Sequence, residues 1–127
     1  MHQIVYTPQA PEPIGPYSQA IKAGNTIYCS GQIAINPENQ KLITGDIQLE
    51  TRLVLENLKA VLEAAGASLN QVVKCSIFLA DMAQFAAVNE VYAEYFSENK
   101  PARETIEVSR LPKNVSVEIS AIAVLEG

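Results

Sequence analysis

Residues 101–112, PARETIEVSRLP, begin and end with proline and form a strand-like run that carries four charges. Side chains alternate between the two faces of a strand, so Arg103, Thr105 and Glu107 are predicted on one face. The other face then receives Ala102, Glu104, Ile106 and Val108. An arginine on a sheet face needs either water or an anion beside it. The segment therefore predicts a strand whose arginine face is wet or binds an anion.

Hydrophobic periodicity on either side of this segment predicts the element order β-β-β-α-β-α-β-β. The predicted strands are His2–Tyr6, Gln19–Ala23, Thr26–Ile33, Val72–Leu79, one strand within 101–112, and Ser116–Val124. The predicted helices are Asp46–Ala65 and a second one from Asp81 to about Phe96, and Asn36–Thr44 is predicted as loop. We expect one α+β domain over residues 1–127, with a mixed six-stranded sheet and two helices packed on one face.

Alternation within the strands divides the predicted sheet into two unlike faces. The face predicted under the helices is apolar and carries Ile27, Cys29, Ile33, Val73, Cys75, Ile77, Leu79, Val117 and Ile119. The opposite face is mixed and carries Tyr28, Ser30, Gln32, Lys74, Ser76, Phe78, Arg103, Thr105, Glu107, Glu118, Ser120 and Ile122. A mixed face of this kind indicates a subunit interface that contains polar pockets. A simply solvated antiparallel face is the alternative.

The charge balance excludes several classes of protein. Fourteen acidic and nine basic residues give a net charge of −5, which argues against binding nucleic acid through a basic surface. No run approaches the roughly 18 apolar residues of a membrane helix, and no secretory signal is recognisable at the start. We therefore expect a cytoplasmic location, with neither membrane nor nucleic acid as a partner.

The cysteines and the histidine exclude other kinds of site. Cys29 and Cys75 show no metal-ligand spacing, and we expect no metal. Each lies in an apolar run, which favours buried reduced thiols over a disulfide. His2, near the start of the chain, is the single histidine, which disfavours a histidine-based catalytic triad.

Four side chains on or near the mixed face carry suitable chemistry. Arg103 can grip a carboxylate through two parallel hydrogen bonds, and Glu118 can act as a general acid or base or hold a water. Tyr17 and Ser30 can each donate or accept a hydrogen bond. Structural alternatives remain, because Arg103 could pair with Glu107 or Glu118, and Glu118 could be a solvated strand residue. The residues alone are therefore compatible with a site for a small carboxylate and with purely structural roles.

The ordered combination of several short motifs is more specific than any one of them. They are Ile14–Ala20 (IGPYSQA), Ser30–Ile33 (SGQI), Asn57–Leu58, Asn89–Phe96, Pro101–Arg103 (PAR), Glu107–Val108, Arg110–Pro112 (RLP) and Val117–Ile119 (VEI). With these motifs, nearly the whole chain resembles the Rid family, also called YjgF-like proteins, which are reactive-intermediate enamine/imine deaminases. The resemblance implies a chorismate-mutase-like α+β fold and a homotrimer with sites between subunits. It also implies hydrolysis of 2-imino or 2-enamino acids, such as 2-aminoacrylate and 2-aminocrotonate, to 2-keto acids and ammonia, without a cofactor.

The resemblance also assigns roles to individual residues. Arg103 would bind the substrate carboxylate, Glu118 would serve the catalytic water, Tyr17 and Ser30 would line the pocket, and Gly31 and Thr105 would contribute backbone contacts. One departure from the family pattern is Glu104, since serine or threonine usually follows the arginine. Alternation points Glu104 away from Arg103, although a bulge in the strand would let it neutralise the guanidinium.

Two other functions are compatible with the same resemblance. The first is a trimer that binds or senses small keto acids through Arg103 without turnover. The second is a ribonuclease or translation inhibitor, an activity reported for some relatives. The negative net charge and the absence of a basic-aromatic patch weigh against the second.

Overall fold

The computed structural model describes residues 2–126, which form two helices, eight strands and three short 3₁₀ turns. The elements in chain order are β1 (His2–Val5), β2 (Ala20–Ala23), β3 (Thr26–Gln32), β4 (Ile35–Asn36), β5 (Lys41–Leu42), α1 (Ile47–Ala64), β6 (Val72–Leu79), α2 (Phe85–Tyr95), β7 (Ala102–Glu107) and β8 (Val117–Val124). Six strands form one sheet in the order β1-β2-β3-β8-β6-β7. Because β6 and β7 run parallel and the other neighbours antiparallel, the predicted mixed six-stranded α+β architecture is confirmed.

The first helix begins and ends close to the predicted residues. Asp46 precedes the helix, and its carboxylate accepts hydrogen bonds from the backbone N–H groups of Gln48 at 3.0 Å and Leu49 at 3.1 Å. An N-cap of this kind stabilises a helix by about 1 kcal/mol. Gly66 follows the helix with a φ of +86°, a left-handed conformation that glycine adopts without strain. Neither helix in residues 2–126 has the length and apolar character needed to cross a membrane.

The core lies between one face of the sheet and the two helices. Strand β8 alternates as predicted, and the side chains it turns toward α1 are those of Val117, Ile119, Ala121 and Ala123, all buried. Helix α1 contributes the fully buried Val54, Leu55, Leu58, Val61 and Leu62 to the same core. The predicted packing of both helices on one face is therefore confirmed.

Two β-bulges change the alternation that the sequence predicts. In β3 the pairing with β8 shifts between Cys29 and Gln32, so that Gln32 pairs with Ile119 and is buried on the helix side. In β6 a shift between Val72 and Lys74 leaves Val73 47% exposed. The predicted faces of Gln32, Ile33 and Val73 were therefore wrong, because an extra residue in a strand inverts the alternation beyond it. Ile33, predicted under the helices, packs instead in a small cluster with Leu111 and Val115 on the other face.

The segment Asn36–Thr44, predicted as loop, contains a small hairpin formed by β4 and β5. The turn closes where the backbone N–H of Gln40 donates to the carbonyl of Asn36 at 2.8 Å, with Gln40 at a φ of +59°. The asparagine side chain also accepts from the N–H of Glu38 at 2.8 Å. The residues that indicated a loop thus form a turn between two very short strands.

The second helix begins later than predicted. A 3₁₀ turn over Met82–Gln84 precedes α2, and the Asp81 carboxylate accepts from the N–H of Ala83 at 2.9 Å. Asp81, the predicted start of the helix, caps this turn instead. The turn delays regular α-helix until Phe85.

The strand within 101–112 lies at an edge of the sheet, and its predicted orientation was wrong. In the parallel pairing with β6, Arg103 is opposite Cys75 and Thr105 is opposite Ile77, so both side chains lie on the helix-covered face. Glu107 lies on that face as well, opposite Leu79. The pattern could not decide the orientation, because polar residues occupy both faces of this edge strand.

Both cysteines are buried and free on the helix-covered face. Cys29 and Cys75 flank Ala121 from its two neighbouring strands, which separates their Cα atoms by roughly 10 Å, two strand spacings. A disulfide requires Cα atoms within about 7 Å. Burial raises the pKa of both thiols, that of Cys29 to about 12, which favours the protonated thiol.

Candidate functional site

Four of the six predicted site residues line one open depression on the sheet face away from the helices. They are Tyr17, Ser30, Gly31 and Glu118, and Ile14, Ile33 and Pro112 complete its wall. The depression has a volume of about 360 Å³, enough for a small organic acid. Its lining combines polar and apolar residues, a composition typical of small-molecule sites.

The carboxyl group of Glu118 lies against the backbone of Gly31. A methyl group placed on the Gly31 Cα would lie 2.7 Å from Glu118 Cδ and 2.9 Å from Cγ, too close for any side chain there. The β3 bulge turns Gly31 toward Glu118, because the register shift lies between Cys29 and Gln32. The sequence signal for this contact is the glycine within an otherwise regular strand.

Glu118 is half-buried and makes no hydrogen bond with any residue of the described range 2–126. Burial raises the pKa of its carboxyl group, since the charged form loses hydration without gaining a partner. A carboxyl group of this kind is suited to exchanging a proton with a bound water.

Tyr17 and Ser30 are held by the segment that joins β1 to β2. The Ser30 hydroxyl donates to the carbonyl of Ser18 at 2.6 Å, and the Tyr17 hydroxyl accepts from the N–H of Ile14 at 3.4 Å. The segment itself is anchored by Gln19, a buried side chain that the sequence analysis did not single out.

The Gln19 amide replaces strand pairing for a proline-rich segment. Its oxygen accepts from the N–H of Thr7 at 2.7 Å, and its nitrogen donates to the carbonyls of Thr7 at 3.0 Å and Pro11 at 2.9 Å. These bonds satisfy backbone groups that have no ladder partner. Tyr17 is consequently held at the rim of the depression by a buried amide two residues along the chain.

Arg103 lies apart from this depression, on the opposite face of the sheet. Its Nη1 donates to Asn89 Oδ1 at 2.7 Å, and its Cζ lies 4.9 Å from the ring centre of Tyr92 and 5.6 Å from that of Phe85. These three residues of α2, at spacings of four and three, form the arginine cradle. Cation–π contacts at such distances contribute about 0.5–1 kcal/mol each at exposed sites.

The cradle leaves the Arg103 charge uncompensated. Asn89 is neutral, and within residues 2–126 the guanidinium forms no ion pair. The remaining N–H groups of this exposed side chain are therefore available for an external anion. Arg103 pairs with neither Glu107 nor Glu118. The Glu107 carboxylate accepts from the N–H of Met82 at 2.7 Å, and Glu118 lies on the other face of the sheet.

The sequence analysis missed the role of the cradle residues. Phe85, Asn89 and Tyr92 were given no functional role there, although Tyr92 is part of the core and Phe85 packs against it. The available signal was their common helix face, which becomes informative only when β7 is known to lie beneath that face.

Thr105 lies near Arg103 on the helix-covered side, and its hydroxyl oxygen is buried without a hydrogen-bond partner in the described part of the chain. The Tyr92 hydroxyl is also buried and unpartnered there, and burial followed by the neighbouring Cys75 thiol raises its pKa. The Thr105 side chain therefore lies away from the Glu118 depression.

Glu104 projects from the face opposite Arg103, as alternation predicted. Its carboxylate accepts a hydrogen bond from the Ser76 hydroxyl and pairs with Lys74 Nζ at 3.0 Å. The Ser76 hydrogen bond, followed by Lys74, lowers the pKa of Glu104. The strand carries no bulge at this point, and Glu104 does not neutralise Arg103.

The described residues contain no group of side chains suited to bind a metal ion. Between His2 and Glu126, no three histidine, cysteine or acidic side chains are grouped so that they could hold an ion. The polar side chains present in the depression and the cradle include an arginine, a carboxyl group and two hydroxyls.

Comparison with known proteins gives these residues a context. The family model described as Endoribonuclease L-PSP matches residues 7–125. The chain belongs to this family. Its members include Rid, or YjgF-like, proteins, and the resemblance found in the sequence is thereby confirmed.

Two curated relatives of this Rid family chain match it over nearly their full lengths. A RutC family protein of Pyrococcus horikoshii is 60% identical over 126 residues, which cover 99% of this chain and 100% of the relative. A protein of Dermatophagoides farinae named 2-iminobutanoate/2-iminopropanoate deaminase is 48% identical over 124 residues, covering 98% and 97%.

A solved structure confirms the fold of this Rid family chain and contains a small ligand. Escherichia coli TdcF, described with bound serine, is 42% identical and superposes with a TM-score of 0.94, covering 98% of this chain and 99% of TdcF. That relative therefore binds a small molecule that carries both a carboxylate and an amino group.

Proposed function

We propose that this protein hydrolyses reactive 2-imino acids and their 2-enamino tautomers, such as 2-aminoacrylate and 2-aminocrotonate, to 2-keto acids and ammonia. The observation that carries the proposal is the uncompensated guanidinium of Arg103. It is held by Asn89 and two aromatic rings, and its remaining N–H groups are free. A planar fork of this kind matches a substrate carboxylate. The deaminase name of the mite relative agrees with this chemistry.

We place the complete site between subunits of a homotrimer. Arg103 and Glu118 lie on opposite faces of the same sheet, so one chain cannot bring both to one small substrate. A second copy can supply the missing partner. The open face also exposes Tyr28 by 50% and Ile106 by 45%, and burial of such residues favours self-association.

In the proposed reaction, Arg103 of one subunit binds the carboxylate and draws electron density from C2 of the substrate. Glu118 of the neighbouring subunit accepts a proton from water while the water oxygen forms a bond to C2 of the protonated imine. Glu118 then returns this proton to the nitrogen of the carbinolamine. The C–N bond breaks as the hydroxyl becomes a carbonyl, and the hydroxyl proton leaves with nitrogen as ammonium.

The remaining predicted residues have supporting roles in this proposal. Tyr17 and Ser30 line the pocket, Gly31 makes room for Glu118, and backbone groups of Gly31 and Thr105 contact the substrate. A backbone role for Thr105 agrees with the burial of its side chain under α2. Such imines already hydrolyse in water without a catalyst, so orientation and proton transfer are sufficient assistance.

The test is a coupled assay in which threonine dehydratase or an amino-acid oxidase generates the imine. We expect faster appearance of 2-keto acid when this protein is added. Arg103→Lys retains the charge but loses the fork, so it should lower the rate strongly while thermal unfolding stays unchanged. Hydrolysis of 2-iminobutyrate by Arg103→Lys at the wild-type rate would exclude this assignment.

The second candidate is a trimer that binds small carboxylates without turnover, which the serine bound to TdcF favours. Titration with a 2-keto acid, run beside the imine assay, separates the two. Saturable binding without any rate enhancement supports the binding protein. RNA cleavage that co-purifies with the trimer and survives Arg103→Ala would support the ribonuclease named by the family description.

A further inference from the structure

The hydrogen-bond direction of the Ser30 hydroxyl is fixed by its partner. Ser30 Oγ lies 2.6 Å from the carbonyl oxygen of Ser18, and a carbonyl oxygen can only accept. The hydroxyl proton of Ser30 must therefore point to Ser18. Because the Ser30 N–H also donates, to the carbonyl of Gln19 at 2.9 Å, this part of β3 is held at two points. Ser30 consequently offers the depression lone pairs and no proton.

The Tyr17 hydroxyl has the opposite polarity. Its oxygen accepts from the backbone N–H of Ile14 at 3.4 Å, and its own proton has no acceptor among residues 2–126. The side chain is 48% exposed at the rim of the same depression. Tyr17 is thus a free donor beside an acceptor-only Ser30.

The Glu118 carboxyl group adds a preference for positive charge. It lies in the same depression, half-buried and without a hydrogen-bond donor in the described part of the chain. An ionised carboxylate in such surroundings attracts a cation or an N–H donor. Ser30 and Glu118 therefore offer acceptors to a depression to which Tyr17 offers a donor.

We propose that this depression distinguishes nitrogen from oxygen at C2 of a small 2-substituted acid, with Ser30 Oγ accepting an N–H from nitrogen and Tyr17 donating to oxygen. The substrate form bound for reaction is then the protonated iminium ion, and Ser30 is a positioning residue for its nitrogen. The inference rests on the proposed function for its class of ligand. It names the protonation state of the substrate and the side of the pocket that nitrogen occupies.

This polarity has a consequence for the order of events. In the iminium ion the nitrogen supplies the N–H that Ser30 accepts, and Tyr17 is free to bind the attacking water. When the C–N bond breaks and the carbonyl forms, the nitrogen leaves as ammonium and Ser30 loses its partner. Of the two hydroxyl groups, only that of Tyr17 then binds the keto acid, which favours release of this product.

L-Alanine and pyruvate form a pair of probes with the same three-carbon skeleton and carboxylate: alanine has an ammonium group and a hydrogen on a tetrahedral C2, and pyruvate has a carbonyl oxygen on a planar C2. Each probe is titrated calorimetrically into the full-length protein. Ser30→Ala should lower the affinity for L-alanine about tenfold and the affinity for pyruvate less than about twofold. Ser30→Thr keeps a hydroxyl and should restore L-alanine binding. Tyr17→Phe should lower the affinity for pyruvate and leave the affinity for L-alanine unchanged.

Equal weakening of both ligands by Ser30→Ala would overturn the inference, since it would show that Ser30 only ties β3 to Ser18. Failure of the wild-type protein to bind either probe at millimolar concentration would also overturn it. If Ser30→Ala does not fold, Tyr17→Phe provides the test. Loss of L-alanine affinity in Tyr17→Phe would contradict the inference.

The two proposals can fail separately. Opposite effects of Ser30→Ala and Tyr17→Phe on the two probes, without imine hydrolysis by the wild-type protein, would support the polarity and exclude the deaminase. Imine hydrolysis with no change in the ratio of the two affinities would support the deaminase and exclude the polarity.

Discussion

The Glu118 carboxyl group occupies the space that a side chain at position 31 would need. A Cβ on Gly31 would approach Glu118 Cδ to 2.7 Å, whereas ordinary contacts of a Cβ begin near 3.4 Å. The bulge in β3 and the absence of a side chain at position 31 together fix where the carboxyl group lies. The placement of the acid therefore depends on a residue that has no side-chain chemistry of its own.

Gly31→Ala should displace the Glu118 carboxyl group and lower the rate of imine hydrolysis by about 100-fold, because a catalytic group displaced by about 1 Å loses that much. The measurement is kcat/KM in the coupled assay. Gly15→Ala is the matched control, since its new methyl group would have nothing nearer than Tyr17 Cδ2 at 3.7 Å. Equal activity of Gly31→Ala and wild type would show that the carboxyl position is unimportant.

Asn89→Asp should raise the KM for the imine about tenfold and leave kcat nearly unchanged. The new carboxylate would lie 2.7 Å from Arg103 Nη1 and compete with the substrate carboxylate. Asn70→Asp introduces the same charge at an exposed position elsewhere and serves as the control. A lowered kcat with unchanged KM would contradict an anchoring role for the cradle.

The activity should depend on pH through Glu118. Burial raises the pKa of this carboxyl group above its ordinary value of 4.5, and the base is active only when ionised. A plot of kcat/KM against pH should therefore fall on the acid side at a pH above 4.5. This fall should persist in Glu104→Gln, because Ser76 and Lys74 lower the pKa of Glu104.

Glu118→Gln should also raise the melting temperature at pH 7. The raised pKa means that the folded state holds the Glu118 proton more tightly than the unfolded state does. The stabilisation from that proton is complete below the unfolded pKa and is lost as the pH rises through the folded one. At neutral pH the charged carboxylate therefore destabilises the fold, and glutamine removes the charge. A lower melting temperature in differential scanning calorimetry would contradict this reasoning.

Mixed trimers test whether the site is shared. Arg103→Ala and Glu118→Gln should each be inactive alone, because each lacks one half of every site. Unfolding and reassembling them together in equal amounts should restore about a quarter of wild-type activity, the fraction of contacts at which both intact halves meet. No recovery in mixtures shown by mass spectrometry to contain both chains would place the two residues in one subunit's site.

Helix α1 and strand β8 could be predicted closely, because their signals are local. Asp46 and Gly66 mark the ends of the helix through capping chemistry, and uninterrupted alternation in β8 shows which residues are buried. Such features need only the neighbouring residues in the chain.

The wrong predictions concern relations between strands. Bulges invert the alternation of a strand, which misplaced Gln32, Ile33 and Val73, and only the β3 bulge has a glycine, Gly31, to indicate it. At β7 the polar residues on both faces gave no preference, and its pairing with β6 decides that Arg103 faces α2. The role of Asn89 follows from that pairing, so it could not be predicted before the register was known.

The anchoring of the segment before Tyr17 by Gln19 has a consequence for sequence variation. The Gln19 amide contacts only backbone atoms of Thr7, Pro11 and their neighbours, and it places no demand on the side chains there. Exposed positions such as Pro8 and Gln9 are therefore free to mutate while the rim of the pocket keeps its shape. Directed evolution can therefore vary these exposed positions without redesigning the loop that holds Tyr17.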